Sequence, residues 1–325
     1  MQESNRNIII SLLETNSIKE ENVEKALYEV GVIPTSQAWY GFMDKLLLWF
    51  GGLALAFSLL FFVAYNWTEF GRFGKFALVE GALLLSVGLY WYLGGESMSS
   101  KVTLFVSSIL LGVLLALVGQ TYQTGADTWQ LFFYWAILML PWAFAGRFPA
   151  LWLLWVFLIN VSILIYMETF RGFLSISFYS EYSMLWALFL FNTVVWAIWE
   201  LLAKRYIWLN EAWAVRILGF VSMVSVTWLT LNFLWDDGTP LAFLVLAFWL
   251  LTIYVVYRVL KVDLFMLALF CFSFSVVLVS MLINFVTSYH FDLPSILFIG
   301  MVIIGLGAGS ASWLKSVQKE ASDAK

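Results

Sequence analysis

The chain is poor in the residues that bind metals or form covalent cross-links. Its 325 residues include one Cys and one His, Cys271 and His290. A lone Cys excludes an intrachain disulfide, and one Cys with one His cannot build a His/Cys zinc site. Charge is scarce too. Only 12% of residues are charged, about half the share of a soluble domain. The net charge of −4 removes the electrostatic basis for nucleic-acid binding. Residues 1–42 are polar and acidic, without the apolar core of a signal peptide, so the first hydrophobic span is expected to target the chain. Gly-rich phosphate loops, GxSxG elbows and HExxH patterns are missing. With no convergent acid pair or Ser–base set either, the expectation is a protein that is not an enzyme and carries neither metal nor cofactor.

What is present is hydrocarbon. The composition is 62% hydrophobic and 19% aromatic. Apolar runs of about 20 residues, each long enough to cross a bilayer, recur almost to the C-terminus. The pattern predicts an all-α polytopic transmembrane helix bundle with about ten spans. They fall near residues 45–65, 73–93, 102–118, 129–144, 149–166, 183–202, 213–234, 241–257, 264–286 and 295–314. Three segments follow: a cytoplasmic N-terminal helical segment over 1–43, a transmembrane domain over 44–315, and a cytoplasmic tail over 316–325. Membrane lipid is the main expected partner.

Sidedness follows from Lys and Arg, which accumulate in cytoplasmic loops. With the N-terminus inside, only Arg72, Lys75 and Arg171 of the 17 basic residues fall outside. Removing any one span would flip every later loop and spoil the asymmetry. An even number of spans with both ends in the cytoplasm is therefore expected. The stretches "YNWTEFGRF", "LVGQTYQTGADTWQ", "LWDDGTP" and "SYHFDLP" then all face outward.

The N-terminal segment has a pattern of its own. In "NSIKEENVEKALYEVGVIP", Ser17 and Glu20 have capping-box spacing. Ile18, Val23, Ala26, Leu27 and Val30 form an apolar stripe at helical spacing, and Gly31 and Pro34 are stop signals. A short amphipathic helix is predicted, with another ahead of it near residues 8–14. Such a stripe docks on the protein's own membrane domain or on a protein partner.

Several of these residues also occur together in a known family. "NW" at Asn66–Trp67, then Lys75, then "LVGQTY" at Leu117–Tyr122, then "WAILMLP" at Trp135–Pro141 resemble the bacterial predicted-membrane-protein family of domain of unknown function 2157. The N-terminal aqueous helices fit as well. The resemblance covers roughly the first half of the chain and implies an integral membrane protein of the bacterial cytoplasmic membrane. It supplies no activity, substrate or catalytic residue.

Candidate site residues come from polar groups in or beside spans. Glu80 lies about seven residues, or roughly 10 Å, inside the second span. An ionisable group at that depth is expected to face the bundle interior or a wet cavity. Gly74, Gly81 and Gly88 recur beside it and would let another helix come close. Gln120, Tyr122 and Asp127 end the third span and turn toward the fourth. Their bland role is capping and interface anchoring. The sharper one groups Gln120 and Tyr122 with Asn66 and Trp67 as the rim of an outward-facing pocket. Ser273, Ser280, Asn284 and Thr287 share one face of the ninth span, toward other helices or a solute path. Asp236–Asp237 reads as a solvated turn. Two small-residue pairs at four-residue spacing, Gly52–Ala56 and Gly305–Gly309, together with Ser108, Gly112 and Ala116, read as helix-contact faces. Two functions remain in view: transport of a small solute or ion with Glu80 as an intramembrane carboxylate, or a membrane scaffold or sensor that binds a partner through the N-terminal helices.

Overall fold

The computed structural model describes residues 9–10, 12–13, 18–29, 31–65, 69–170, 182–235, 240–289 and 293–323. Among them secondary structure is helical throughout. A 3-10 turn, Glu20–Asn22, leads into the short helix α1, Val23–Glu29. The long helices are α2 Ser36–Tyr65, α3 Arg72–Tyr92, α4 Met98–Tyr122, α5 Thr128–Gly146, α6 Pro149–Thr169, α7 Ser183–Ala203, α8 Ala212–Trp235, α9 Leu241–Tyr254, α10 Leu264–Tyr289 and α11 Leu293–Asp323. A π-helical stretch, Val255–Leu260, continues α9. Among the described residues, ten helices, α2–α11 with α9 and its continuation taken as one, are long and apolar enough to cross a membrane. The all-α polytopic architecture expected from hydropathy is therefore present.

Helix ends follow local chemistry. Gly31 has φ 74°, and Val32 N–H returns to the Leu27 carbonyl, so the predicted stop after α1 is a left-handed glycine turn. The proposed Ser17 cap lies outside the described residues. Arg147 takes φ 47° between α5 and α6, and Pro149 opens α6, which gives the tight join expected in "AGRFP". Helices α2 and α11 run well beyond the apolar cores of their spans, into sequence that is polar or charged.

The chain divides into two compact units, Met1–Tyr122 and Gln123–Lys325. In the first, α2 and α3 both pack on α4. Val63, Val79, Val113 and Leu117 form the centre, flanked by Leu59, Leu60, Phe76 and Leu114. A side chain on Gly52 would meet Val102 Cγ1 at 2.9 Å and Val106 Cγ2 at 3.1 Å. Glycine here lets two helix backbones approach, which lipid-embedded helices need because lipid tails offer no hydrophobic drive to associate. Ser107 Oγ donates to Ser86 Oγ at 2.8 Å and ties α4 to α3. Ser108 and Gly112 are buried, as expected for a contact face.

In the second unit α8 is central, packed against α7, α9 and α10. Its buried Leu218, Met223, Val226 and Leu229 meet Trp249, Ile253, Met266 and Leu267. A side chain at Gly219 would meet the Met266 terminal methyl at 2.3 Å, so the flexible Met266 side chain fills the space this glycine leaves between α8 and α10. Between α6 and α7, Asn160 and Asn192 exchange side-chain hydrogen bonds of 3.1 and 2.6 Å. Each also donates to a carbonyl of its own helix, Val156 or Leu188. All four amide N–H bonds of the pair are thus used, which is what a low-dielectric setting demands. The polar face of α10 is spent on packing. Ser273 bonds Thr227 at 2.6 Å, Ser280 accepts from Trp235 Nε1 at 2.7 Å, and Asn284 donates to the Leu234 carbonyl at 2.7 Å. All three partners lie on α8.

Candidate functional site

Glu80 is exposed on α3, contrary to the expectation of an interior-facing carboxylate. Helical geometry explains this. Lys75 and Val79 are the buried residues of α3, and one further residue turns the chain about 100°. Glu80 therefore leaves the contact face that Val79 occupies. The glycine strip beside it is open as well: nothing stands within 4 Å of a side-chain position at Gly81 or Gly88, and Gly74 meets only Phe70. Among the described residues nothing stands within 4 Å of a side-chain position at Gly305 or Gly309 of α11 either, whereas Gly52 and Ala56 are in contact. Spacing identified all three as helix faces without showing which had a partner.

Gln120 and Tyr122 are still helical, in the last turn of α4, and both are exposed. The Tyr122 ring lies 5.9 Å from Phe76 and holds the end of α4 against α3. Gln123, at φ 46°, then stops the helix. Asn66 and Trp67, the other half of the predicted rim, lie outside the described residues, as do Asp236, Asp237 and His290. Asp127, in the second unit, is exposed at the N-cap position of α5 and makes no side-chain cap bond.

The densest set of polar contacts lies elsewhere, at one end of the second unit, among residues that sequence reading did not single out. The indole N–H of Trp196 on α7 donates to Tyr257 Oη at 3.0 Å. Tyr257, in the π-helical stretch and 1% exposed, donates in turn to Glu200 Oε1 at 2.5 Å. Lys261 Nζ lies 3.6 Å from the other Glu200 oxygen. Nearby in sequence, Asp263 does double duty. Its Oδ1 accepts the Phe265 and Met266 N–H groups at 3.0 and 3.2 Å and caps α10. Its Oδ2 accepts from Arg216 Nε at 3.1 Å. Arg258 pairs with Glu320 on α11.

These bonds tie the C-terminal end of α9 to those of α7 and α11, and, separately, the N-terminal end of α8 to that of α10. All are chain positions that the Lys/Arg asymmetry assigns to one side. A π-helical turn is a known mark of functional segments. Here its wider register faces Tyr257 toward α7 while Arg258 reaches α11. The arrangement can fix helix ends electrostatically. It holds three carboxylates, but each is already engaged by a cation or an N–H group. The signal available in the sequence was the burial cost of Glu200, an acid three residues from the end of a span.

The fold and its sites define a polytopic all-α membrane protein in which the interhelical polar pairs described above serve helix packing. Comparison with known proteins agrees at that level. Residues 11–152 match the family model described as "Predicted membrane protein (DUF2157)". The match contains the NW, LVGQTY and WAILMLP stretches and stops early in α6, so it takes in α5 of the second unit while α7 to α11 lie beyond it. No curated protein matches the chain, and no solved structure matches it.

Proposed function

We propose that the chain is a non-enzymatic membrane scaffold or sensor of the bacterial cytoplasmic membrane, with both termini in the cytoplasm, that engages a partner protein through its N-terminal helices. The observation carrying this reading is the state of α1. None of its residues is buried, and Val23, Ala26 and Leu27 are only partly covered. An amphipathic helix whose apolar stripe is not fully sequestered is suited to a groove on another protein. Its charge argues against the lipid surface as the target. Membrane-surface helices carry Lys and Arg on the polar face, whereas this segment carries Glu20, Glu21, Glu24 and Glu29 against Lys19 and Lys25. The partner surface is therefore apolar with a basic rim.

The test is site-specific cross-linking in cells from a photoreactive residue at position 27. A discrete adduct that disappears with Val23→Asp, while the membrane domain still assembles, supports the reading. Cross-links only to this chain's own spans would refute it. A second reading, transport of a small solute or ion, draws on Glu80, an ionisable side chain within a span. It requires Glu80→Gln to alter ion-coupled uptake in vesicles at unchanged protein level, and unchanged flux across a broad solute panel counts against it.

A further inference from the structure

A groove of about 570 Å³ runs between α10 and α11, floored by Leu231 of α8. Its walls extend from Ala268 to Ile283 on one helix and from Ile303 to Leu314 on the other, all within membrane spans. Fifteen residues of helix make it about 22 Å long. One leaflet contributes about half of a hydrocarbon core of ~30 Å, so the groove is long enough to take a whole chain from that leaflet. Its depth comes from small residues, Gly307 and Ser310 among them. Helix α11 is otherwise thinly held, with Ile299 and Val317 its buried residues.

The groove is open along its side, so whatever medium surrounds the spans fills it. Water is a poor occupant, because ordered water needs polar partners and the groove's lining is almost wholly apolar. Ser280 accepts from Trp235, and the Cys271 thiol is hydrogen-bonded with Ser310. The surrounding medium is hydrocarbon, and the rim residues Phe272 and Ile303 are exposed to it. We propose that this groove is a binding site for one acyl chain of a bilayer phospholipid, which stays with the protein as a bound lipid and completes the packing of α11 against α10.

The full chain in vesicles containing a phospholipid with a diazirine in its acyl chain provides the test. Irradiation should concentrate adducts on peptides spanning residues 268–283 and 303–314, above the labelling of the exposed α9 face around Leu244. Intact-mass measurement after removal of excess lipid should show a retained phospholipid. Gly307→Leu, which fills the groove, should abolish both signals, while Ile304→Leu on another face of α11 should leave them in place. Wild-type labelling that is uniform over all lipid-facing helices would overturn the proposal. So would a second copy of the chain cross-linked into the groove in place of lipid.

Discussion

Replacing Tyr257 with Phe tests whether the polar chain at the end of the second unit holds its helices together. The change removes one oxygen and leaves the ring in place. Two interhelical bonds go with it: the one accepted from Trp196 Nε1 at 3.0 Å and the one donated to Glu200 at 2.5 Å. Hydrogen bonds between lipid-embedded helices average about 0.6 kcal/mol each, which sets a floor near 1 kcal/mol for the pair. The ceiling comes from what is stranded. Trp196 is 5% exposed, and a buried donor left without an acceptor costs about 1–3 kcal/mol. Glu200 suffers less, because Lys261 remains 3.6 Å away and its side chain is 15% exposed. The expected loss is therefore about 2 kcal/mol. Reversible unfolding in mixed micelles with increasing SDS would measure it. A cycle with Glu200→Gln should show coupling of at least ~0.5 kcal/mol, since the two residues share a bond. Stability of Tyr257→Phe within about 0.5 kcal/mol of wild type, with no coupling to Glu200, would mean that the chain of bonds is incidental to packing.

The same assay separates the other contacts. Asn160→Leu and Asn192→Leu should each cost about 1–3 kcal/mol by stranding the partner amide, while the double replacement should cost less than their sum; strict additivity would contradict the reciprocal pair. Gly52→Leu should destabilise by about 1–3 kcal/mol through overpacking against Val102 and Val106. Gly81→Leu, with open space around it, should be close to neutral, and equal effects at both sites would refute the close-approach reading. Asp263→Ala should lose about 1 kcal/mol or more as the cap of α10 goes. Glu320→Ala should fall within about 1 kcal/mol of wild type because its carboxylate is 61% exposed, and the reverse order would overturn the assignment of Asp263 as the cap.

Lipid makes some features of such a chain readable from sequence and hides others. The spans were legible because a bilayer imposes one requirement on every one of them, about twenty apolar residues with internally satisfied backbone. The turn at Gly31 and the tight "AGRFP" join were legible because they depend on neighbours in sequence. The polar face of α10 was legible as a face, and its partners Thr227, Trp235 and the Leu234 carbonyl emerged only when α8 was placed against it. Glu80 was misjudged for the same reason. Its depth along α3 follows from counting residues, but its direction depends on which face meets α4, and that is set by packing between helices. Glu200 and Tyr257 were missed because each looks ordinary in its own segment, and fifty-seven residues separate them. In water, polar residues mark the surface by default and a buried one stands out. In a membrane span that default is lost, so a polar residue signals a neighbour without identifying it. The three glycine faces show this most plainly: Gly52 has its neighbour on α4, while Gly81 and Gly305 have none among the described residues.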